Sequence, residues 1–154
     1  MFRFYEDDRE RVLTATWTLS DSVDIVSSDL PDEWERALVR LGRDLRVRHY
    51  NGTIERIDWV AEYDPINGYV LLLSDVTVRG RGPDGLGMSG SCPRVDDDEE
   101  LILAAIADFV QDQVARAHVA WPWGDAGGFM SAVLADGRAV WSDGKGQQTV
   151  IGSL

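Results

Sequence analysis

The sequence predicts an α+β fold: an antiparallel β-meander with two main helices and a small C-terminal β-meander. Residues 11–19 alternate between apolar and polar side chains, residues 97–118 carry apolar side chains at helical spacing, and Asn51-Gly52 is a strong hairpin signal. The length of 154 residues and the apolar content of 44% suit a single domain covering residues 1–154.

The N-terminal part predicts a β-hairpin. Along residues 11–19, Leu13, Ala15 and Trp17 lie on one side and three threonines on the other. Side chains in a strand alternate between its faces, so this strand should be half buried. A short strand at residues 23–26 is placed to pair with it.

A helix is expected next. Residues 29–33 combine a capping acid, an early proline and first-turn carboxylates, which are typical of a helix start. We expect the helix to end near Gly42. Its expected buried stripe consists of Leu30, Trp34, Leu38 and Leu41.

Residues 45–79 predict a three-stranded antiparallel meander. Strands at 45–50 and 53–63 flank Asn51-Gly52, two residues that tolerate positive φ. A second turn at 64–68 leads into a Val- and Leu-rich strand at 69–79.

The segment at residues 80–95 is interpreted as a glycine-rich connector. It matches the dinucleotide-binding spacing G-x-G-x-x-G from Gly80 and again from Gly85. In that motif a helix must begin at once so that its N-terminal amides hold the pyrophosphate. Here five acids stand between the loop and the helix, and they would repel phosphate. We therefore predict no bound cofactor.

The C-terminal half predicts the second helix at 97–118 and then three short strands at 129–135, 138–142 and 147–151. Asp-Gly turn signals separate these strands. The buried stripe expected for the helix consists of Leu103, Ile106, Ala107, Val110 and Val114.

The net charge of −12, from 27 acidic and 15 basic residues, limits the classes of partner. A field of this sign repels nucleic acid and anionic membranes and favours basic partners. The longest apolar run, at residues 101–107, is too short to span a bilayer. The N-terminus is acidic where a signal peptide needs an apolar stretch, so we expect a soluble, cytoplasmic protein.

No catalytic or metal-binding pattern is evident. Cys92 is the single cysteine, which excludes an intrachain disulfide and a cysteine-based zinc site. His49 and His118 are the two histidines, and neither lies in a motif typical of a general base. The acids at 96–100 lack the alternate spacing and central glycine of a calcium loop.

Two segments are candidates for binding a partner: an acidic run before the second helix, and two indoles around a proline. The bland interpretation, which the residue types favour, is that the acids are a solvated helix cap and that the indoles plug the end of the core. The candidate residues are Asp96, Asp97, Asp98, Glu99, Glu100, Trp121 and Trp123.

The C-terminal 35 or so residues resemble the end of a group of small uncharacterised actinobacterial proteins. The resemblance rests on Trp121-Pro122, on Ala139-Val140-Trp141 and on residues 150–154. Many of those proteins carry Cys and His in a small zinc-ribbon-like unit. Here Trp123-Gly124 and Ser142-Asp143 stand in those neighbourhoods, so the resemblance does not imply a metal.

Two functional hypotheses follow. The first is an acidic protein-binding module, similar in composition to immunity or inhibitor proteins that neutralise a basic partner such as a toxin. The alternative is a small enzyme or small-molecule-binding domain with its site near the 80–95 loop, Trp121 and Trp123. A pocket with a perturbed carboxylate favours the alternative, whereas an open acidic face with exposed aromatic rings favours the binding module.

Overall fold

A computed structural model describes residues 9–87 and 92–154. Within them the predicted α+β class is confirmed, with two helices and two antiparallel sheets. The larger sheet has the strand order β2-β1-β3-β4-β5 and the smaller one β6-β7-β8. The elements are β1 (Glu10–Thr18), β2 (Ser22–Ser28), α1 (Asp32–Asp44), β3 (Ile54–Asp64), β4 (Tyr69–Val78), β5 (Gly82–Pro83), α2 (Glu99–Arg116), β6 (Ser131–Ala135), β7 (Arg138–Ser142) and β8 (Gln148–Val150).

The predicted N-terminal hairpin is confirmed. Trp17 of β1 lies opposite Val23 of β2 and opposite Ile57 of β3. The alternating apolar side chains of β1 are buried, as the period-two pattern requires. β1 is thus an inner strand of the sheet, and its buried face contributes to the main core.

The helix α1 ends at Asp44 and not at Gly42, so that prediction was wrong. Gly42 is buried inside the helix, where an added Cβ would lie 2.5 Å from Cγ2 of Val23. The carbonyl of Gly42 also accepts a hydrogen bond of 3.0 Å from Nε1 of Trp17. This glycine therefore permits the close approach of α1 to the β1–β2 hairpin and does not terminate the helix.

The predicted strand at residues 45–50 is not formed. Arg48 has a φ angle of 65°, which is incompatible with an extended strand. His49 instead supports an irregular turn, because its Nδ1 accepts a 3.1 Å hydrogen bond from the amide of Ile54. The strand that flanks β3 on the side away from β4 is β1, so the chain returns to the N-terminal hairpin after α1.

Part of the predicted 80–95 connector follows the edge of β4. β5 pairs with the end of β4, and Ser74 and Gly87 exchange backbone hydrogen bonds of 3.1 and 3.0 Å. The amide of Val70 donates to the carbonyl of Pro93 at 2.9 Å. Residues 88–91 of the connector lie outside the described part of the chain.

The helix α2 and the second sheet agree with the prediction. α2 begins two residues later and ends two residues earlier than the predicted 97–118. The apolar stripe predicted for this helix is buried, and so is Ile102. The three C-terminal strands form the smaller sheet, which packs on α2. None of the described helices has the length and apolar character needed to cross a bilayer.

Candidate functional site

The first three acids of the predicted partner-binding run belong to the start of α2. Oδ1 of Asp98 accepts a 2.9 Å hydrogen bond from the amide of Leu101 and so caps the helix. Oδ2 of Asp97 accepts one of 2.8 Å from the amide of Arg94. Asp96 is exposed, with 82% of its side chain accessible.

The other two acids of the run form ion pairs with α1. Glu99 lies 2.6 Å from Nε of Arg36 and 2.8 Å from Nη1 of Arg40. Glu100 also pairs with Arg40, and its Oε1 accepts a 3.0 Å hydrogen bond from the amide of Ala139. The predicted acidic surface is thus largely used to cap α2 and to join it to α1 and β7.

These ion pairs should make stability depend on acid pH. Hydrogen bonds from Arg36 to Glu99 and from Arg40 to Glu100 lower the pKa of both carboxyl groups below the ordinary 4.5. The folded state then binds fewer protons than the unfolded chain. The stability that this contributes above the ordinary pKa is lost as the pH falls through the lowered values.

We expect the variant with both Glu99→Gln and Glu100→Gln to lose less free energy of unfolding than the wild type between about pH 5 and about pH 3. Urea unfolding at each pH measures the difference. Asp44, whose pKa is shifted the other way by burial, is common to both proteins and cancels in the comparison. Parallel pH profiles would contradict the prediction.

Trp121 lies in the core, so it is not available as a partner anchor. Its side chain has no exposed surface. Its Nε1 donates to the carbonyls of Asp44 and Val47 at 3.1 and 3.0 Å, and its ring meets that of Trp141 edge-on at 5.1 Å. Of the two interpretations of this residue, the structure therefore supports the core plug.

The buried carboxylate of Asp44 was not singled out by the sequence. It accepts hydrogen bonds from Nε1 of Trp141 at 2.7 Å, from the amide of Gly152 at 2.6 Å and from the amide of Leu154 at 3.0 Å. Burial raises the pKa of Asp44, and these donors oppose the shift. The group joins the end of α1 to the smaller sheet and has a structural role.

Trp123, by contrast, is partly exposed. Its ring stacks on that of Tyr50 with the centroids 4.0 Å apart and the planes 10° from parallel. The turn after Trp123 is closed by a 2.8 Å hydrogen bond from the amide of Gly124 to the carbonyl of Gly128. This turn places Phe129 beside Trp123, where 62% of Phe129 is exposed.

These rings form one wall of a cleft, here called the α2 cleft, with a volume of about 500 Å³. Its other side is the exposed face of α2, which carries Asp108 and Asp112. Gln111, between these acids, donates from its side chain to the carbonyl of Met130 and so ties the aromatic wall to the helix. No Lys or Arg lines the cleft among the described residues.

Asp108 is the electrostatically unusual group of the cleft. Burial, together with the negative charge of Asp112 one helical turn away, raises its pKa. A pair of like charges at i and i+4 also destabilises a helix. A positively charged group bound beside Asp108 would favour its charged form.

Nucleophilic chemistry finds no support at the single thiol or at His49. Burial raises the pKa of Cys92, which disfavours the reactive thiolate. His49 uses both ring nitrogens on backbone groups, and burial lowers its pKa. Within residues 9–87 and 92–154, no group of three His, Cys, Asp or Glu side chains is arranged to hold a metal ion.

Known proteins give no indication of the function of this chain. No family model, curated protein or solved structure matches the chain.

Proposed function

We propose that this chain is a protein-binding module that recognises a basic partner through the α2 cleft, as an immunity or inhibitor protein would neutralise a basic toxin. One observation carries the proposal. Exposed aromatic rings and two carboxylates line the same cleft, and no Lys or Arg accompanies them among its described lining residues.

The chemistry of the cleft suits a guanidinium or ammonium group. Such a cation is attracted to a carboxylate and to the face of an aromatic ring, and both interactions strengthen when water is excluded. Asp108 is already partly desolvated, so a bound cation would favour its charged form. The net charge of −12 would accelerate encounter with a basic protein.

The proposed function includes the cellular compartment in which the protein acts. A single cysteine is typical of proteins from a reducing environment, and cytoplasmic placement is therefore part of it.

The test compares two variants that remove the same charge. Asp108→Asn with Asp112→Asn alters the cleft, whereas Asp21→Asn with Asp24→Asn alters exposed acids near the β1–β2 turn. A partner is first captured from the native cell extract at low salt and identified, and its binding kinetics are then measured with each variant over a range of salt concentrations.

We expect a basic partner whose association slows with added salt. The cleft variant should bind it about tenfold or more weakly, while the turn variant should show only a small change in association rate. Equal losses of affinity in the two variants would show that binding depends only on the overall negative charge and would contradict a site in the cleft. Salt-independent binding would contradict the electrostatic basis.

One observation favours the second candidate function, a small-molecule-binding site. A cleft of about 500 Å³ with a perturbed carboxylate is also typical of a small-molecule site. The 80–95 loop, which this alternative placed at the site, does not line the cleft in its described part. Saturable quenching of tryptophan fluorescence by a small cationic ligand, measured without any protein partner, would favour this candidate. The quenching should be lost in Trp123→Ala.

A further inference from the structure

The α2 cleft adjoins a second groove on the other side of Asp108, which lines both. This groove has a volume of about 440 Å³ and runs between the N-terminal half of α2 and the strand β6. Asp97 lies in it as well, and no Lys or Arg lines it among the described residues. The two spaces therefore lie side by side along α2, with Asp108 between them.

The second groove follows the free edge of β6. This strand pairs with β7 and occupies the edge of its sheet. Ala132, Val133 and Leu134 all line the groove, although successive residues of a strand point to opposite faces. A groove lined by all three reaches the edge of the strand. Within the described residues, β6 forms no backbone hydrogen bond outside its pairing with β7.

Within residues 9–87 and 92–154, this edge lacks the usual protection against pairing. Edge strands are commonly blocked by Lys, by proline or by a bulge, and β6 has the sequence SAVLA in regular register with β7. Val133 and Leu134 are 36% and 45% exposed, and Leu101 across the groove is 39% exposed. As far as the chain is described, the edge thus combines backbone groups that have no second partner strand with apolar contacts and acidic neighbours.

We propose that the basic partner inserts an extended segment here, which adds a strand to β6. Its backbone pairs with this edge, and its cationic side chains face α2, where they meet Asp97 and Asp108 and lay their aliphatic stems on Leu101. Its apolar side chains lie on the opposite face of the added strand, beside Val133. The charge complementarity selects a Lys- or Arg-bearing segment, and strand addition is an established mode of peptide recognition. This inference rests on the proposed function and specifies the form of its partner.

The probes are three synthetic peptides of about eight residues, a length that spans an ordinary strand. The first alternates Lys and Val, and the second alternates Glu and Val. The third is the Lys-Val peptide methylated on its backbone nitrogens, which keeps its charge and side chains but removes the N–H donors. Binding to the full chain is measured by fluorescence anisotropy.

We expect the Lys-Val peptide to bind and the other two to bind about tenfold more weakly or not at all. Leu134→Lys, which adds a repelling charge at the edge, should abolish binding. Val26→Lys is the matched control, because Val26 is 63% exposed on β2, an edge strand of the other sheet. It should bind the peptide as the wild type does.

Equal binding of the methylated and unmethylated peptides would overturn strand addition. If the variant with Asp108→Asn and Asp112→Asn still bound these peptides more weakly than the wild type, the proposed function would stand and only strand addition would be wrong. If the Lys-Val peptide did not bind, or bound no better than the Glu-Val peptide, strand addition by a basic segment would be wrong. A dimer in solution that Leu134→Lys converts to a monomer would assign the edge to a second copy of this chain and would likewise overturn the inference.

Discussion

Replacement of Asp44 by Ala should lower the free energy of unfolding by about 3 kcal/mol or more, because it leaves buried donors without an acceptor. The indole of Trp141 and the amides of Gly152 and Leu154 all donate to this carboxylate, which has no exposed surface. Water cannot replace the lost acceptor without opening the contact between α1 and the smaller sheet. Urea unfolding measures the change.

Asp32→Ala is the matched control for this prediction. Asp32 lies in the first turn of the same helix and is exposed, so its loss should cost no more than about 1 kcal/mol. Similar losses in the two variants would show that Asp44 contributes only a helix charge and would refute the structural role assigned to it.

Trp121→Ala should lower the free energy of unfolding by about 3–5 kcal/mol, the range for removal of a large buried aromatic side chain. The ring is fully buried, contacts Trp141 edge-on and holds the carbonyls of Asp44 and Val47 through its Nε1. Its loss leaves both a cavity and unsatisfied acceptors. Urea unfolding at neutral pH is again the measurement.

Trp123→Ala is the control, two residues along the chain. Loss of its stack on Tyr50 should cost about 1 kcal/mol of stability, while binding of the partner should weaken because an exposed ring is removed. The opposite order, with Trp123→Ala the more destabilising of the two, would contradict the placement of these rings.

The sequence predicted those elements whose side-chain pattern is local. The alternation in β1, the apolar stripe of α2 and the Asp-Gly turns of the smaller sheet each involve residues that are close together in the sequence, and each matches the structure. The strand expected at 45–50 failed because a non-local contact decides that segment. Tyr50 pairs its backbone with Ala120, far along the chain. The helix end predicted near Gly42 was wrong for the same reason, because the close neighbour of Gly42 is Val23, which belongs to another element.

The candidate site was predicted only in part, since exposure is a property of the fold. Trp121 and Trp123 look alike in sequence, yet one contacts Trp141 in the core and the other Tyr50 at the surface. The acidic run suggested a charged surface, and its partners Arg36 and Arg40 lie about 60 residues away. One local signal was available: Asp108 and Asp112 repeat a like charge at i and i+4 on α2, an arrangement that costs stability.

The hydrogen bonds to the carboxylate of Asp44 also affect local unfolding of the protein. A sheet of three short strands has little stability of its own, and this one is tied to α1 by a buried carboxylate and to α2 by Glu100. Fluctuations that expose its backbone must break these ties and disturb α1 as well. Amide hydrogens of β7 should therefore exchange with solvent at nearly the same rate as those of α1, as parts of one cooperative unit.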